Sequence, residues 1–386
     1  PYGVVGCITA WNYPFNLAFA SMTAALAAGN VIVIKPTEVT PGVGERIREV
    51  LAPLPAGVAT VIQGGSEVGA ALVNAPVDKI SFIGSARTGK KIAEAASAHL
   101  TPVVMELGGI DAAIVCDDAD LETASSGVLW GAFMNAGQTC CSIERVYVDE
   151  KVADEFSSLL LSKLKRVDEG PDENLGPLTF GPQLETVKRH VDDAINKGAE
   201  ILAGGPSDEE MPGRWYKPTV LTSITEEMDL SREETFGPVL PIIRVRDEEE
   251  AVRRTNEDGF NLTASVWTKD NSRAKRIAGK LRAGTVCIND HGATEGIPWT
   301  PWGGAGESGY GRLNGELGLK EFSVPVHIWK NITPRLRRLW WYPYDQASVQ
   351  TLRGLTEAAS APTLAEKVEG AKKFAGNVAA ALRRKL

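Results

Sequence analysis

Two short motifs carry the residues best suited to covalent chemistry. Cys140 lies in the loop-forming segment Gly137-Gln138-Thr139-Cys140-Cys141, and a thiol there can act as a nucleophile once it loses its proton. Glu106 ends a short apolar strand, where partial loss of solvent suits a general base. Asn12 is either a turn residue or an amide donor to an oxyanion. The alternatives for the first two are an inert buried cysteine and an ion-paired glutamate.

A glycine-containing turn after a predicted strand has the form of a phosphate site. Gly84 and Ser85 follow the strand, and Gly89 lies in the first turn of the next helix. Free backbone N–H groups and the positive end of that helix would face a pyrophosphate. Gly65, before the preceding helix, is a weaker signal of the same kind. An ordinary βα turn explains these motifs equally well.

Lys35 and Glu38 follow another predicted strand, at the end where open α/β sheets bind their ligands. A glutamate there can accept hydrogen bonds from a ribose diol and would repel a 2′-phosphate. On spacing alone, an exposed ion pair is the simpler interpretation.

The elements that must position these residues are short apolar strands, each followed by a helical pattern. Apolar residues in these strands do not alternate with polar ones. Such strands are buried on both faces, which predicts an α/β fold with a doubly wound parallel sheet. The strands predicted in the first region are 4–10, 31–34, 59–63, 79–83 and 103–106. The helices predicted between them are 17–28, 43–51, 67–73 and 89–99.

A second α/β region follows the first. Its predicted strands are 112–116, 144–148, 199–202, 262–267 and 284–289, with a late strand at 322–328. Its predicted helices are 121–136, 153–166, 185–197, 248–256 and 272–281. The nucleophile candidate follows the first of these helices.

Composition and charge exclude several classes of protein. The 386 residues are 43% hydrophobic and 23% charged, which excludes a disordered chain. The net charge of -8 is uneven, because residues 330–386 carry 11 basic and 4 acidic side chains. The remaining body is therefore acidic and repels nucleic acid. Five scattered cysteines and four unclustered histidines indicate neither a disulfide scaffold nor a metal site, and they favour a reducing compartment.

Taken in order, the motifs resemble the aldehyde dehydrogenase superfamily. Seven of them match between Pro1 and about Lys330, in the order in which the family has them. They are Trp11-Asn12-Tyr13-Pro14-Phe15, Lys35-Pro36-Thr37-Glu38, Phe82-Ile83-Gly84-Ser85, Glu106-Leu107-Gly108-Gly109, Gly137-Gln138-Thr139-Cys140, Glu233-Glu234-Thr235-Phe236-Gly237-Pro238-Val239 and Pro301-Trp302-Gly303-Gly304 with Glu307-Ser308-Gly309.

The resemblance implies a role for each site residue. Cys140 would attack the aldehyde carbon, with the Asn12 amide and the Cys140 N–H as the oxyanion hole. A hydride would pass to NAD, with NADP as the alternative, and Glu106 would activate the water that hydrolyses the resulting thioester. The residues implied to bind the cofactor are Trp11, Lys35, Glu38, Gly65, Gly84, Ser85, Gly89, Leu107, Glu234 and Phe236. No metal is implied.

The resemblance also predicts how the chain is organised. We expect a Rossmann-like cofactor domain at 1–107, a catalytic α/β domain at 108–310, a linker with an oligomerisation strand at 311–331, and a basic amphipathic tail at 332–386. The family's chains carry a further segment before the position of Pro1, so the cofactor domain is expected to be incomplete here. The whole protein is expected to be a cytoplasmic homodimer or homotetramer.

Two other functions stay open at this point. A CoA-acylating member of the superfamily lacks the base equivalent to Glu106, so the presence of Glu106 argues against it. A non-catalytic binding protein derived from the fold would not need Cys140, Glu106 and Asn12 together. The sequence defines the aldehyde less well, because two observations disagree. The local pattern resembles succinate-semialdehyde dehydrogenases, whereas the side chains expected to line the substrate pocket are apolar. The lining candidates are Tyr13, Leu17, Met134 and Trp302.

The tail after the family-like region combines basic charge with apolar side chains. Basic residues lie beside an aromatic cluster between 335 and 344, and an apolar stripe follows at helical spacing. The stripe consists of Leu364, Val368, Ala371, Ala375, Val378 and Leu382. Lys367, Lys372, Lys373, Arg383, Arg384 and Lys385 lie off it. This pattern predicts a helix that either docks on the acidic body of this or a neighbouring subunit, or makes a peripheral contact with an anionic membrane.

Overall fold

Two parallel sheets form the core of the first of two units, Pro1–Val324 and Pro325–Leu386. The computed structural model describes residues 1–168, 170, 173–206, 213–257, 259–292, 294, 296–332, 338, 340–342 and 344–383. Within these residues, the helices are all too short or too polar to cross a bilayer.

The elements of the first unit alternate between strand and helix. Its strands are β1 Val4–Ile8, β2 Val31–Lys35, β3 Ala59–Val61, β4 Lys79–Gly84, β5 Val103–Leu107, β6 Asp111–Val115, β7 Ile143–Asp149, β8 Glu200–Pro206, β9 Tyr216–Thr222, β10 Val239–Val245, β11 Phe260–Asn261, β12 Thr263–Trp267, β13 Thr285–Ile288, β14 Ala305–Gly306 and β15 Gly309–Tyr310. Its helices are α1 Pro14–Ala27, α2 Pro41–Leu51, α3 Ser66–Asn74, α4 Ala86–Ser97, α5 Leu121–Phe133, α6 Ala153–Leu164, α7 Gly181–Asn196, α8 Glu248–Thr255, α9 Asn271–Ala278 and α10 Gly315–Glu321.

The first sheet has the strand order β15-β5-β4-β1-β2-β3, and only β15 is antiparallel to its neighbour. The chain builds β2 and β3 on one side of β1 and then β4 and β5 on the other. The strand order therefore reverses between β1 and β4, as the doubly wound prediction requires. Ligands of such sheets bind in the crevice at the carboxyl ends of the strands around this reversal.

The buried strands explain why the first sheet forms. Val5, Ile34 and Ile80 are fully buried on neighbouring strands, and the helices α1 and α2 each begin at a proline that favours the first helical turn. Cys7 belongs to this core, and burial raises the pKa of its thiol to about 12. A buried thiol with so high a pKa stays protonated and unreactive.

The second sheet has the order β13-β12-β6-β7-β10-β9-β8, and its one antiparallel pair is β8 with β9. Two of its strands, β9 and β10, were not predicted. Each contains a proline, Pro218 or Pro241, and a proline inside a sequence run argues against a central strand. β10 nevertheless lies between β7 and β9, pairing with β9 before and at Pro241 and with β7 after it.

Two other predicted elements differ in the structure. The helix predicted at 121–136 ends at Phe133, because Asn135 and Ala136 have left-handed backbone conformations. The late strand predicted at 322–328 does not form within the single chain, since residues 323–330 belong to no strand or helix. Val326 and Ile328 are largely exposed there. Alternation of apolar residues cannot make a strand without a neighbouring strand to take its backbone hydrogen bonds.

The second unit contains two helices, α11 Gln346–Ser360 and α12 Leu364–Arg383, which pack as an antiparallel hairpin. The backbones meet at two glycines, because a Cβ on Gly354 would lie 2.7 Å from the carbonyl oxygen of Gly370. The apolar stripe predicted on α12 lies on a different face from this helix–helix contact, and its residues Leu364 and Val368 are exposed. Several tail residues named above lie outside the described residues: 335–337, 339, 343, 384 and 385, with the side chains at 382 and 383.

A buried ion pair joins the first sheet to α10. The Lys79 ammonium is buried and lies 2.7 Å from a carboxylate oxygen of Glu321, whose side chain is 26% exposed. We expect Glu321→Gln to lower the free energy of unfolding by about 3 kcal/mol, because it leaves a buried charge without its partner. Lys79→Met should cost less, because the remaining carboxylate can be hydrated.

Urea unfolding followed by circular dichroism measures both effects. Glu316→Gln, which removes an exposed carboxylate from the same helix, serves as the control and should leave stability unchanged. A Glu321→Gln variant as stable as this control would contradict the assigned importance of the pair.

Candidate active site

The loop that carries Cys140 has an unusual backbone. Asn135, Ala136 and Gly137 have φ values of +53°, +54° and +71°, a left-handed run that turns the chain sharply between α5 and β7. A Cβ on Gly137 would lie 2.0 Å from the carbonyl oxygen of Gly237. Only glycine fits this contact, so Gly137 is required for packing.

Two hydrogen bonds connect this loop to the segment after β1. The Asn135 amide donates to the backbone carbonyl of Asn12 at 3.2 Å, and the hydroxyls of Tyr13 and Thr139 lie 2.9 Å apart. These contacts bring the predicted oxyanion residue Asn12 to the Cys140 loop. In the described part of the chain, no protein acceptor takes the Cys140 N–H, so that donor is available to a substrate oxygen.

Glu106 and Cys140 come together from different sheets. Glu106 is buried in β5, and the Trp302 indole N–H donates to its carboxylate at 3.4 Å. The Cys140 thiol is half-buried. A hydrogen bond with the Cys141 thiol, burial and the Glu106 charge raise the pKa of Cys140 well above its usual value. The resting thiol is therefore protonated, and it faces a carboxylate.

Cys141 is more deeply buried than Cys140. It is buried, and its carbonyl oxygen lies 2.6 Å from Nε2 of the buried His291. Burial lowers the pKa of that imidazole to about 4, so it is neutral at physiological pH. This packing distinguishes Cys141 from its half-buried neighbour.

A second loop, Glu234–Gly237, faces the Cys140 loop. Glu234 accepts a hydrogen bond from the Gly109 N–H at 3.2 Å. Burial, followed by the nearby charge of Glu144, raises the pKa of Glu234. Phe236 has a φ of +51°, and its ring makes an edge contact with Trp11, with centroids 5.4 Å apart. Trp11, Glu234 and Phe236 thus surround one region beside Cys140.

Sequence reasoning missed Glu144, which anchors this second loop. Its carboxylate is buried and accepts hydrogen bonds from the backbone N–H groups of Thr235 and Phe236, both at 2.7 Å. Burial raises the pKa of Glu144 to about 7, although these hydrogen bonds oppose the rise. The available signal was a carboxylate inside an apolar strand, the same pattern that identified Glu106.

The predicted ribose ligands lie together at the end of β2. The Lys35 ammonium, largely buried, contacts the exposed Glu38 carboxylate at 2.7 Å. Partial burial of Glu38 acts to raise its pKa, but the hydrogen bond from Lys35 outweighs this and lowers it. The pair offers both a donor and an anionic acceptor, which suits a ribose diol.

The predicted phosphate residues lie at the helices that flank the strand reversal. Ser85 caps α4, whose first turn has no acidic residue, and a Cβ on Gly89 would lie 2.8 Å from Leu107. Gly89 therefore allows close helix–sheet packing beside the site. At α3, by contrast, the Gly65 N–H already donates to Glu67 at 2.9 Å. The start of α4 and the Lys35–Glu38 pair thus lie at the same edge of the sheet without an acidic residue in the first helical turn, whereas the Gly65 N–H is already taken by Glu67.

One cluster in the described residues has the side-chain types of a metal site. Ligand atoms of His190, Asp229 and Glu233 lie within 4.8 Å of one another. The Arg189 guanidinium contacts all three, at 2.6 to 3.0 Å. It supplies the positive charge that a metal ion would bring, so the cluster is an ion-pair network around α7.

Comparison with known proteins places this geometry in a family. The sequence model of the aldehyde dehydrogenase family matches residues 1–328. A 4,4'-diapolycopene aldehyde oxidase from a Methylomonas species is 39% identical over 92% of this chain and 67% of its own length. A Mycobacterium ulcerans relative named for succinate semialdehyde and NADP(+) is 40% identical over 84% of this chain and 64% of its own.

The structural match is equally close. Betaine aldehyde dehydrogenase from Staphylococcus aureus, solved in complex with NAD+, superposes with a TM-score of 0.82 at 34% identity, over 89% of this chain and 70% of that one. The chain thus spans about two thirds of the length of these relatives. The predicted fold, the predicted family and the predicted oxidation of an aldehyde with NAD(P) are confirmed. The chain belongs to the aldehyde dehydrogenase family.

Proposed function

We propose that Cys140, Glu106 and Asn12 carry out a hydrolytic oxidation of an aldehyde to its carboxylic acid. The observation that carries this proposal is the pairing of a half-buried thiol with a buried carboxylate from the other sheet. An acyl group can be held on the sulfur of Cys140 while the carboxylate activates water. A CoA-acylating enzyme would not need that carboxylate.

The steps follow from the positions of these groups. Cys140 loses its proton to Glu106 or to water and attacks the aldehyde carbon, while the Cys140 N–H and the Asn12 amide stabilise the oxyanion. Bound NAD accepts the hydride. The acyl group is then a thioester of Cys140, and Glu106 takes a proton from the water that attacks it. The carboxylic acid leaves, and the Cys140 thiol is restored.

The remaining predicted residues hold the cofactor in this proposal. Lys35 and Glu38 bind the adenosine ribose, and Gly84, Ser85 and Gly89 bind the pyrophosphate and adenosine side. Trp11, Leu107, Glu234 and Phe236 surround the nicotinamide end. Gly65 contributes less than its motif suggested, because Glu67 already takes its N–H. In this proposal the cofactor domain is 1–107 and the catalytic domain is 108–310, with β15 at the end of the second range returning to pair with β5 of the first sheet.

The aldehyde is apolar in this proposal. Leu17 and Trp302 are buried, and Tyr13 and Met134 are partly buried. These side chains offer apolar surface rather than a partner for a carboxylate. A relative named for a diapolycopene aldehyde supports this class, whereas the relative named for succinate semialdehyde does not. Comparing alkyl aldehydes of increasing chain length with a semialdehyde separates the two classes.

We also propose that the whole protein is a cytoplasmic homo-oligomer. Val324, Val326 and Ile328 are exposed along residues 323–330, which belong to no strand or helix. Such an extended apolar segment fits pairing with a second copy of the chain. The five cysteines are all free thiols, which suits a reducing compartment.

A peripheral membrane contact of the tail is the second candidate role. The helix hairpin packs through Gly354 and Gly370, which leaves Leu364 and Val368 exposed. Trp340 and Tyr342 are also exposed upstream, and residues 330–386 carry 11 basic and 4 acidic side chains. An exposed apolar stripe with nearby basic charge and aromatic rings suits an anionic bilayer surface. Such a location would favour aldehydes that partition into lipid.

The roles of Cys140 and Glu106 separate in rapid-mixing kinetics. Glu106→Gln should give a burst of NADH followed by turnover slowed on the order of 10²-fold or more, because only the second step needs activated water. Loss of the Glu106 charge also lowers the Cys140 pKa, so the first step is retained.

Cys140→Ala should show no burst and lose several orders of magnitude in rate. Cys141→Ala, the matched control, should stay active. Activity in Cys140→Ala would contradict the proposed mechanism.

Cofactor choice depends on Glu38. Its charge lies where a 2′-phosphate would bind, so kcat/KM should favour NAD over NADP by at least about tenfold. Glu38→Gln should reduce this preference by a similar factor. Glu49→Gln, which removes an exposed carboxylate from α2, should leave the ratio unchanged. A wild-type preference for NADP would contradict this assignment.

Liposome co-sedimentation tests the tail. The whole chain should bind phosphatidylserine vesicles at low salt and detach at high salt, whereas a chain ending at Lys330 should not bind. Val368→Asp, which breaks the exposed stripe, should weaken binding about tenfold or more. Negligible binding by the whole chain would contradict the membrane contact and favour packing of the tail on this or another subunit.

A further inference from the structure

Glu144 joins the strand that follows the nucleophile to the loop assigned to the nicotinamide. It lies four residues after Cys140, near the start of β7. Its two carboxylate oxygens each accept one backbone N–H, from Thr235 at 2.7 Å and from Phe236 at 2.7 Å. These partners are 91 and 92 residues away in sequence. The carboxylate therefore connects two loops that are distant in the chain.

The loop needs such an anchor because its backbone is strained. Phe236 has a φ of +51°, a left-handed conformation that a bulky side chain rarely adopts. Two hydrogen bonds from adjacent N–H groups to one carboxylate are charge-assisted and fix the orientation of both peptides. They hold Phe236 in the conformation that presents its ring to Trp11.

Other contacts fix the preceding part of the loop from a different element. Helix α7 supplies Gln183, which donates to the Thr235 carbonyl at 2.7 Å, and His190, which lies 3.1 Å from the Thr235 hydroxyl. These two contacts are made by Thr235 and not by Phe236. Among the described residues, the Phe236 N–H donates its hydrogen bond to the Glu144 carboxylate.

The carboxylate also determines where Glu234 lies. Glu234 immediately precedes the two anchored peptides, and its own carboxylate reaches the Gly109 N–H at 3.2 Å. A rotation of the Thr235 or Phe236 peptide would move Glu234 and the Phe236 ring together. Gly137 packs against Gly237 at the end of this loop, but the nucleophile loop has further contacts elsewhere. Asn135 and Thr139 bond to the segment after β1, and Gln138 accepts the Thr179 N–H at 2.8 Å, so we expect the nucleophile loop to stay in place.

We infer that Glu144 is a positioning residue that sets the cofactor-holding groups Glu234 and Phe236 relative to Cys140. This inference rests on the proposed function, in which those two side chains hold the nicotinamide end of NAD. Both Glu144 carboxylate oxygens accept backbone N–H groups, so we expect Glu144 to act without direct contact with substrate or cofactor. Its effect passes through the backbone of Thr235 and Phe236.

Glu144→Gln in the full chain is the direct test, because it keeps the shape but turns an amide N–H₂ toward one of the two N–H donors. The KM for NAD should rise about tenfold, with a comparable loss in the single-turnover rate of NADH formation. Alkylation of Cys140 by iodoacetamide should proceed at the wild-type rate. A structural collapse would instead change alkylation and NAD kinetics together.

A double-mutant cycle separates positioning from general damage. If Glu144 acts through Glu234, then Glu144→Gln should add less than about twofold to the NAD KM of Glu234→Gln. Asp149→Asn is the matched control, since Asp149 is a buried carboxylate at the far end of the same strand β7 that accepts the backbone N–H of Lys151. It should lower stability without changing the KM for NAD. Should Glu144→Gln fold poorly, Glu144→Asp keeps the charge with a shorter reach and should show part of the same rise.

Several results would overturn the inference. They are a wild-type NAD KM in both Glu144 variants, full additivity with Glu234→Gln, or a parallel loss of Cys140 alkylation. Failure of the proposed function is distinguishable, because it would appear as aldehyde oxidation that survives Cys140→Ala. Wild-type activity that depends on Cys140 but not on Glu144 would overturn this inference alone.

Discussion

The active site depends on a connection of three residues between the two sheets. β5 ends at Leu107 and β6 begins at Asp111, so the chain leaves one sheet and enters the other almost without a loop. The carboxyl end of the first sheet is thereby held against the amino end of the second. Gly108 permits this geometry, because a Cβ there would lie 2.2 Å from the Glu234 carboxylate. Glu106 and Glu234 share one site for this reason.

The groups at this junction are costly to bury, and the fold offsets the cost with specific hydrogen bonds. Glu106, Asp111 and Glu144 are all buried, and burial raises the pKa of both Asp111 and Glu144. Asp111 is satisfied by Thr263, and Glu144 by two peptide N–H groups. Buried carboxylates of this kind are stable only when their acceptors are used. In the proposed mechanism, Glu106 differs because its task requires it to accept a proton.

The second unit follows a different physical rule. Its two helices approach through Gly354 and Gly370, so small residues rather than large apolar side chains make the contact. The larger apolar side chains of α12, such as Leu364 and Val368, are exposed instead. A helix pair with this pattern has apolar surface available for another partner, whether a membrane or a protein.

Local sequence patterns were enough to predict most of the strands and helices, the fold class and the family. Apolar runs followed by helical patterns predicted β1–β5 and their helices, because burial on both faces leaves a local signal. The motifs around Cys140, Glu106 and Asn12 likewise identified the family from residue types and order alone. Local patterns did not predict β10, because its sequence contains a proline. They also predicted a strand at 322–328, where the described residues provide no neighbouring strand to pair with it.

Only the tertiary structure decided which distant groups meet. Glu144 had no role in the sequence because its partners lie 91 and 92 residues away, and no local spacing encodes such a bond. The contact of Gly137 with Gly237, and the left-handed turn before Cys140, are equally invisible in the sequence pattern. Backbone hydrogen bonds and close approaches between loops depend on where the two sheets place their ends. That placement follows from packing the whole chain.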